Sequence, residues 1–429
     1  MKKTLLLTSL VASMVAMAGT TGSVEGYNEN EATFVKGEKP TFVAKKTGVK
    51  TEVKVNGTGF SFGGEFKAEK LKLGEDNKEN LLNHSNVWAK YELPELKGVK
   101  SYVQAKVEPK FIGADKGSAE LEGQVSYKYD SLTFGLNSKT NFPFVEKTSG
   151  KYENDVKSTH KVFVESEEKK DVFVKGLKDV KASLEIKHNY AKDATKAGDR
   201  VDYVSGEASA KYDAVKDLEL EGKVAFKKSI SVKNVGDYEV LGTKLFAKEV
   251  EAEYIHSYEL KGTYKGVKHL TLSAKPFVAH VHIADKNDQI MYGTELVTEY
   301  KMLNDKLTLT GKSLLAGVHV TSPAAKNTGH FVFDANAKYD YSVTDKFTVS
   351  PEANANLKLE VYKEGNDLVT KPELTLTPKV SAEYKATDTL TLKGSVETPV
   401  KFGLDTAGTK FEYKQTQVKT SLNLKYEWK

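Results

Sequence analysis

The sequence predicts an all-β fold: a transmembrane antiparallel up-and-down β-barrel of about eighteen strands, within a range of roughly sixteen to twenty. Three observations predict it. Long stretches alternate apolar and polar residues with a period of two. Tight polar turns, each preceded by Tyr or Phe, recur along the chain. No segment beyond the first residues carries the roughly 18–20 consecutive apolar residues a spanning helix needs.

The final stretch shows the alternation best. Thr416, Val418, Thr420, Leu422, Leu424, Tyr426 and Trp428 form one face, and Gln417, Lys419, Ser421, Asn423, Lys425, Glu427 and Lys429 the other. Period two places successive side chains on opposite faces of a strand. One face is largely apolar and ends in two aromatics; the other is wholly polar. Hydrocarbon on one side and water on the other would select that pattern.

Composition sets the outer bounds. Met1-Lys2-Lys3, the mostly apolar run Leu5 to Ala18, and Ala16-Met17-Ala18 read as a secretory signal peptide over residues 1–18. Residues 19–47 are polar, with one weak apolar run at Thr41-Phe42-Val43, and read as a periplasmic lead-in; residues 48–429 form the barrel. The mean hydropathy of −0.47 speaks against a helical membrane protein but not against a barrel, since half of each barrel strand faces water. The chain has no cysteine, so neither disulfides nor a lipid-bearing cysteine are available. Its 64 basic and 59 acidic residues nearly balance, which gives no footprint for nucleic acid. Arg200 is the only arginine.

The repeating unit is an alternating run, an aromatic, a short polar turn and a new alternating run. It recurs at Tyr212 through Leu220, Tyr300 through Leu309, Tyr339 through Val349 and Tyr384 through Leu392, with looser copies at Tyr91 through Val99, Tyr129 through Phe134, Phe173 through Val180 and Tyr264 through Leu272. Between these turns lie polar connections, most of them longer, at 74–85, 113–118, 141–157, 191–200, 233–242, 284–289, 322–328, 365–367 and 407–409. Eight turns alternating with nine loops connect eighteen strands. Two places break the pattern. Glu168 and Lys170 fall on the face that Val162 and Val164 assign to lipid, which implies a bulge or a longer loop at Glu165–Asp171. At Asn56-Gly57 the apolar parity switches, which implies either a bulge or a hairpin turn.

The faces then sort by parity. Leu390, Leu392, Val396, Val400 and Phe402 oppose Thr391, Lys393, Ser395, Glu397 and Lys401. The tyrosines before the turns fall on the apolar face, where they form an interfacial girdle. The opposite face carries Lys106, Glu108, Lys110, Glu219, Lys223, Glu352, Lys358, Glu360, Lys393, Glu397 and Lys401. Ionised groups stay charged at low cost only where water reaches them, and a barrel this wide cannot fill its interior with side chains. These residues are therefore expected to line an aqueous lumen.

In this architecture and in its alternating C-terminal strand, the chain resembles the outer-membrane diffusion porins of Gram-negative bacteria. The resemblance implies location in the cell outer membrane, contact with its lipid, insertion by the barrel-assembly machinery, a homotrimer, and passive passage of ions and small hydrophilic solutes. It also implies that the third external loop, here Asn141–Lys157 and the longest connection, folds inward, making Glu146, Lys147, Lys151, Glu153 and Asp155 the pore constriction. The chain departs from the family in two respects: Trp428 is penultimate, and a single arginine leaves lysines to supply any positive wall.

Other chemistries have weak signals. His280-Val281-His282 sets two imidazoles on one face with no third ligand, which reads as a strand rim rather than a metal site. Gly311-Lys312-Ser313 lacks the upstream glycine of a phosphate loop. No metalloprotease or serine-hydrolase motif occurs, so no enzymatic activity, cofactor or metal is expected. A surface-exposed barrel adhesin and a substrate-specific, sugar-type channel are the alternatives; Trp88, Tyr102 and Tyr203 face inward by parity without forming an obvious ladder.

Overall fold

The computed structural model describes residues 19–72, 85–109, 115–145, 156–190, 203–229, 239–240, 243–244, 252–283, 288–321, 327–364, 367–405 and 408–428. Twenty strands form its wall. They are β1 Thr20–Val35, β2 Thr41–Val55, β3 Phe60–Lys72, β4 Asn86–Glu92, β5 Val99–Pro109, β6 Asp115–Tyr129, β7 Leu132–Val145, β8 Val156–Ser166, β9 Leu177–Tyr190 and β10 Tyr203–Tyr212. The second half comprises β11 Leu218–Ser229, β12 Ala252–Val267, β13 Leu270–Ile283, β14 Gln289–Met302, β15 Leu307–Val320, β16 Thr328–Tyr339 continuing as Tyr341–Thr344, β17 Phe347–Glu364, β18 Asp367–Lys385, β19 Leu390–Glu397 continuing as Val400–Leu404, and β20 Phe411–Trp428.

Each strand pairs antiparallel with its sequence neighbours. The ring closes where β1 meets β20, with Gly22 opposite Trp428 and Val35 opposite Gln415. Closure leaves no sheet edge, which hydrocarbon would not tolerate. Both ends of the wall, Thr20 and Trp428, therefore lie at the same rim as the short turns. The interruption of β19 is local chemistry: Pro399 has no N–H to donate, and its carbonyl still accepts from Gln417 N at 2.9 Å.

The excess over eighteen strands comes from the first 72 residues. The expected lead-in at 19–47 is not outside the wall; it forms β1 and the first half of β2, paired to each other and to β20. The parity switch at Asn56-Gly57 is a hairpin turn joining β2 to β3, with Gly57 and Gly59 at φ +74° and +72°. At 165–171 the wall ends at Ser166 and a longer turn follows, where Lys170 Nζ reaches Glu167 at 3.2 Å.

Exposure distinguishes the convex and concave faces. On the convex side of a cylinder side chains splay apart, and on the concave side they crowd. The apolar series is the exposed one: Leu121 and Val125 are 48% and 53% exposed, whereas the side chain of Glu120 beside them is 16% exposed. The aromatics next to the turns, among them Tyr91, Tyr129, Tyr212, Tyr300 and Tyr384, are exposed on the same convex face. They sit within the last three residues of their strands at the turn ends, where an interfacial girdle is expected.

Candidate functional site

Strand register builds the concave face. In an antiparallel pair, directly opposed residues share a face and their side chains meet. On this face lysine repeatedly opposes glutamate: Glu352 with Lys379, Lys358 with Glu373 and Glu360 with Lys371 between β17 and β18; Glu383 with Lys393 between β18 and β19; Glu397 with Lys419 between β19 and β20. The lattice continues through the closing seam with Glu25 opposite both Lys425 and Lys50, and Lys50 opposite Glu65.

Side-chain contacts follow the register. Lys393 reaches Glu383 at 3.0 Å, Lys419 reaches Glu397 at 3.1 Å, Lys401 reaches Glu373 at 2.6 Å, and Lys223 reaches Glu207 at 2.7 Å. Glu352 takes Lys379 at 3.6 Å and the Asn336 amide at 2.9 Å, and Lys106 pairs with Glu108 along β5. Glu219 lies on the same face of β11 opposite Thr263. Such half-exposed pairs each contribute about 0.2–1 kcal/mol. Their larger effect is on the field: opposite charges alternate, so no single-sign potential dominates this wall.

Lys110 and the whole expected constriction set, Glu146, Lys147, Lys151, Glu153 and Asp155, lie outside the described residues. Two parts of that expectation are corrected by the strand order. The connection holding those five residues is the fourth at its rim, because the link at 36–40 precedes it. Nor is it the longest: β7 runs to Val145 and β8 starts at Val156, whereas residues 230–251 separate β11 from β12.

Three features escaped the reading by parity. First, tyrosines anchor carboxylates across strands. Tyr27 Oη donates to Glu65 at 2.5 Å, Tyr102 Oη donates to Glu122 at 2.6 Å, and the Asn137 amide donates to Glu122 at 2.9 Å. Glu65 and Glu122 were detectable by the same alternation that picked out Glu108. Second, lysines cap the inward rings, with Lys90 4.2 Å from the centre of Tyr102 and Lys227 4.2 Å from that of Tyr203. Third, part of the concave face on β13–β16 is apolar and buried, with Met291 and Leu314 at 0% exposure. Its signal is the loss of alternation, as in Leu314-Leu315-Ala316-Gly317-Val318.

His280 and His282 sit near the loop rim on the convex side, in register with His256 and Tyr254. Their rings meet the Asp288 carboxylate at 3.1 and 2.6 Å. These contacts, that of His282 first, hold Asp288 below the ordinary aspartate range. Asp288 also ties two loops together: its carbonyl accepts from Thr321 N at 3.0 Å. Among the described residues no cluster is arranged to hold a metal ion.

No family model matches the chain, and no curated protein matches it. Solved structures do. The siderophore receptor PirA from Pseudomonas aeruginosa aligns over 96% of this chain and 80% of its own, with a TM-score of 0.52 and 8% identity. OccAB3 of Acinetobacter baumannii covers 96% of this chain and 100% of its own, at a TM-score of 0.46 and 7% identity. The in-vitro folded trimer form of OmpT, an outer membrane protein of Vibrio cholerae, covers 96% and 100%, at 0.38 and 10%. Likeness at such identities extends to the fold alone. The class is a closed antiparallel β-barrel of the outer-membrane type.

Proposed function

We propose that this chain is an outer-membrane channel of a Gram-negative bacterium through which ions and small hydrophilic solutes diffuse passively. The observation that carries the reading is the lysine–glutamate lattice on the concave face of a twenty-strand wall. A ring of this size is wider than side chains can fill, and charges remain ionised only against water. Alternating charge repels neither sign of solute strongly, so width rather than field sets selection. The lysines over Tyr102 and Tyr203 already occupy those ring faces, which favours general diffusion over an aromatic sugar slide.

Export by a cleaved leader over residues 1–18, insertion by the barrel-assembly machinery and a homotrimeric assembly belong to the same proposal. Planar-bilayer recording of refolded protein tests it. Ohmic steps with a reversal potential near zero in a salt gradient are expected. Electrically silent protein that is correctly folded would contradict the channel. Steps blocked by one sugar at low concentration would point instead to a substrate-specific channel.

A further inference from the structure

A row of four serines crosses the turn-side half of the concave wall. Ser350 on β17 opposes Ser381 on β18, Ser381 opposes Ser395 on β19, and Ser395 opposes Ser421 on β20. Three strand spacings make the row about 14 Å long. Longer side chains flank it, Glu352, Lys379, Glu397 and Lys419 toward the loops and Glu383 with Lys393 toward the turns. Short side chains between long ones leave a trough, and a cavity of about 530 Å³ occupies it. The floor is hydroxyl: Ser395 and Ser421 share a hydrogen bond at 2.7 Å, and the Ser381 hydroxyl donates to the Ser350 carbonyl at 3.4 Å.

The charges at the turn end of this trough do not cancel. Lys338 meets Asp340 at 2.9 Å, Lys393 meets Glu383 at 3.0 Å, and Lys379 meets Glu352 at 3.6 Å. Two more lysines line the cavity. Lys385 is 3.8 Å from the already paired Glu383, and Lys346 Nζ donates to the Ala386 carbonyl at 3.3 Å. The two are neighbours, since Lys385 N donates to Lys346 O at 2.8 Å. Against them the lining holds one further carboxylate, Asp345. Lys385 lies four positions, about 13 Å, from Ser381, and its flexible side chain shortens that span.

We propose that the trough is a subsite for a hexose-sized sugar phosphate, with Lys346 and Lys385 taking the phosphate and the serine row the sugar hydroxyls. A phosphate monoester carries close to two charges at neutral pH, which two lysines match. Serine hydroxyls both donate and accept, so they satisfy sugar hydroxyls in either sense. Exposed lysines keep the contact weak enough for the solute to leave again. This deepens the channel reading by naming a solute class, and as a pore subsite it rests on that reading.

Ligand-observed NMR on the refolded full chain in detergent tests it at constant ionic strength, with glucose-6-phosphate, glucose and inorganic phosphate as probes. The sugar phosphate is expected to bind more tightly than either of the others. Lys346→Gln with Lys385→Gln should weaken it about tenfold. Ser395→Ala with Ser421→Ala should weaken the sugar phosphate but not inorganic phosphate. Lys261→Gln with Lys301→Gln removes the same charge from the concave faces of β12 and β14 and should change nothing. If the first pair fails to fold, Lys385→Gln alone, at a side chain 64% exposed, should weaken binding about threefold. Equal affinity for inorganic phosphate and the sugar phosphate, or equal weakening by the distant lysine pair, would reduce the effect to bare charge attraction and overturn the subsite. So would unchanged affinity in the lysine or the serine variants. Binding itself needs no conduction: specific binding to an electrically silent barrel would uphold the site and overturn the channel, and ohmic steps without binding would do the reverse.

Discussion

Trp428→Ala tests how the barrel is closed. The indole lies across Gly22, its register partner on β1, and donates to Thr20 Oγ1 at 3.4 Å. It also shares a face with Val53, which has 0% exposure. Trp428 itself is 9% exposed. A buried tryptophan hides about 150–250 Å², and at about 25 cal/mol per Å² that is an upper bound of about 4–6 kcal/mol. Lipid and headgroups would wet part of the uncovered surface, so the low end of the large-to-small range, about 3 kcal/mol, is expected. Tyr426→Ala, at a residue already 39% exposed, should cost only about 1 kcal/mol. Reversible urea unfolding in vesicles, followed through the remaining Trp88, measures both. A Trp428→Ala loss within about 0.5 kcal/mol of zero would refute the seam argument. Gly22→Ala provides a cross-check: its Cβ would sit 2.5 Å from the Trp428 ring and 2.2 Å from the Glu52 carbonyl. Removing the indole relieves only the first clash, so the substitution should still destabilise the Trp428→Ala background, by less than it does the native chain.

Three further predictions follow from the lattice and the loops. Glu397→Gln leaves Lys419 without its 3.1 Å partner and should shift the reversal potential toward anions, with a stability change below about 1 kcal/mol; adding Lys419→Gln should restore it. In the loop before β20, the backbone N–H groups of Thr409 and Lys410 hold the Asp405 carboxyl below its usual range. Its contribution is therefore complete above the unfolded value of roughly 3.9 and is lost as pH falls through the lower folded value. The protection factor of the Thr409 amide, its intrinsic exchange rate over the observed one at the same pH, should fall as Asp405 protonates in acid, and should be low at every pH in Asp405→Asn. Leu303, Asn304 and Asp305 adopt three successive left-handed conformations, with φ of 54°, 56° and 64°. Leu303 is 61% exposed, so Leu303→Gly should stabilise the barrel by about 1 kcal/mol in the same urea assay, because strain is removed and little packing is lost.

The turn rim was readable because its signals are local. An aromatic followed by a short polar turn marks a hairpin end within a few residues, and Tyr129-Asp130-Ser131-Leu132 closes with Asp130 at φ +52°. Strand β1 was not, because its convex series Gly22, Val24, Gly26, Asn28, Asn30 and Ala32 is too small and polar to look lipid-facing. It is identified by pairing with β20, a contact between opposite ends of the chain that no local window contains. The lysine–glutamate lattice was half readable: parity selected the residues, but which lysine meets which carboxylate depends on register. The buried apolar patch on β13–β16 was hidden because both faces of its strands are apolar, and periodicity carries no information there.

If water wets one face of this wall and hydrocarbon the other, cysteine scanning of β17 will alternate with a period of two. Single cysteines at positions 352 to 359, in liposome-reconstituted protein, would be treated with a charged maleimide. Labelling is expected at 352, 354, 356 and 358 and protection at 353, 355, 357 and 359, where Ala353, Ala355, Leu357 and Leu359 occupy the convex face. Uniform labelling, or labelling confined to the odd positions, would contradict it.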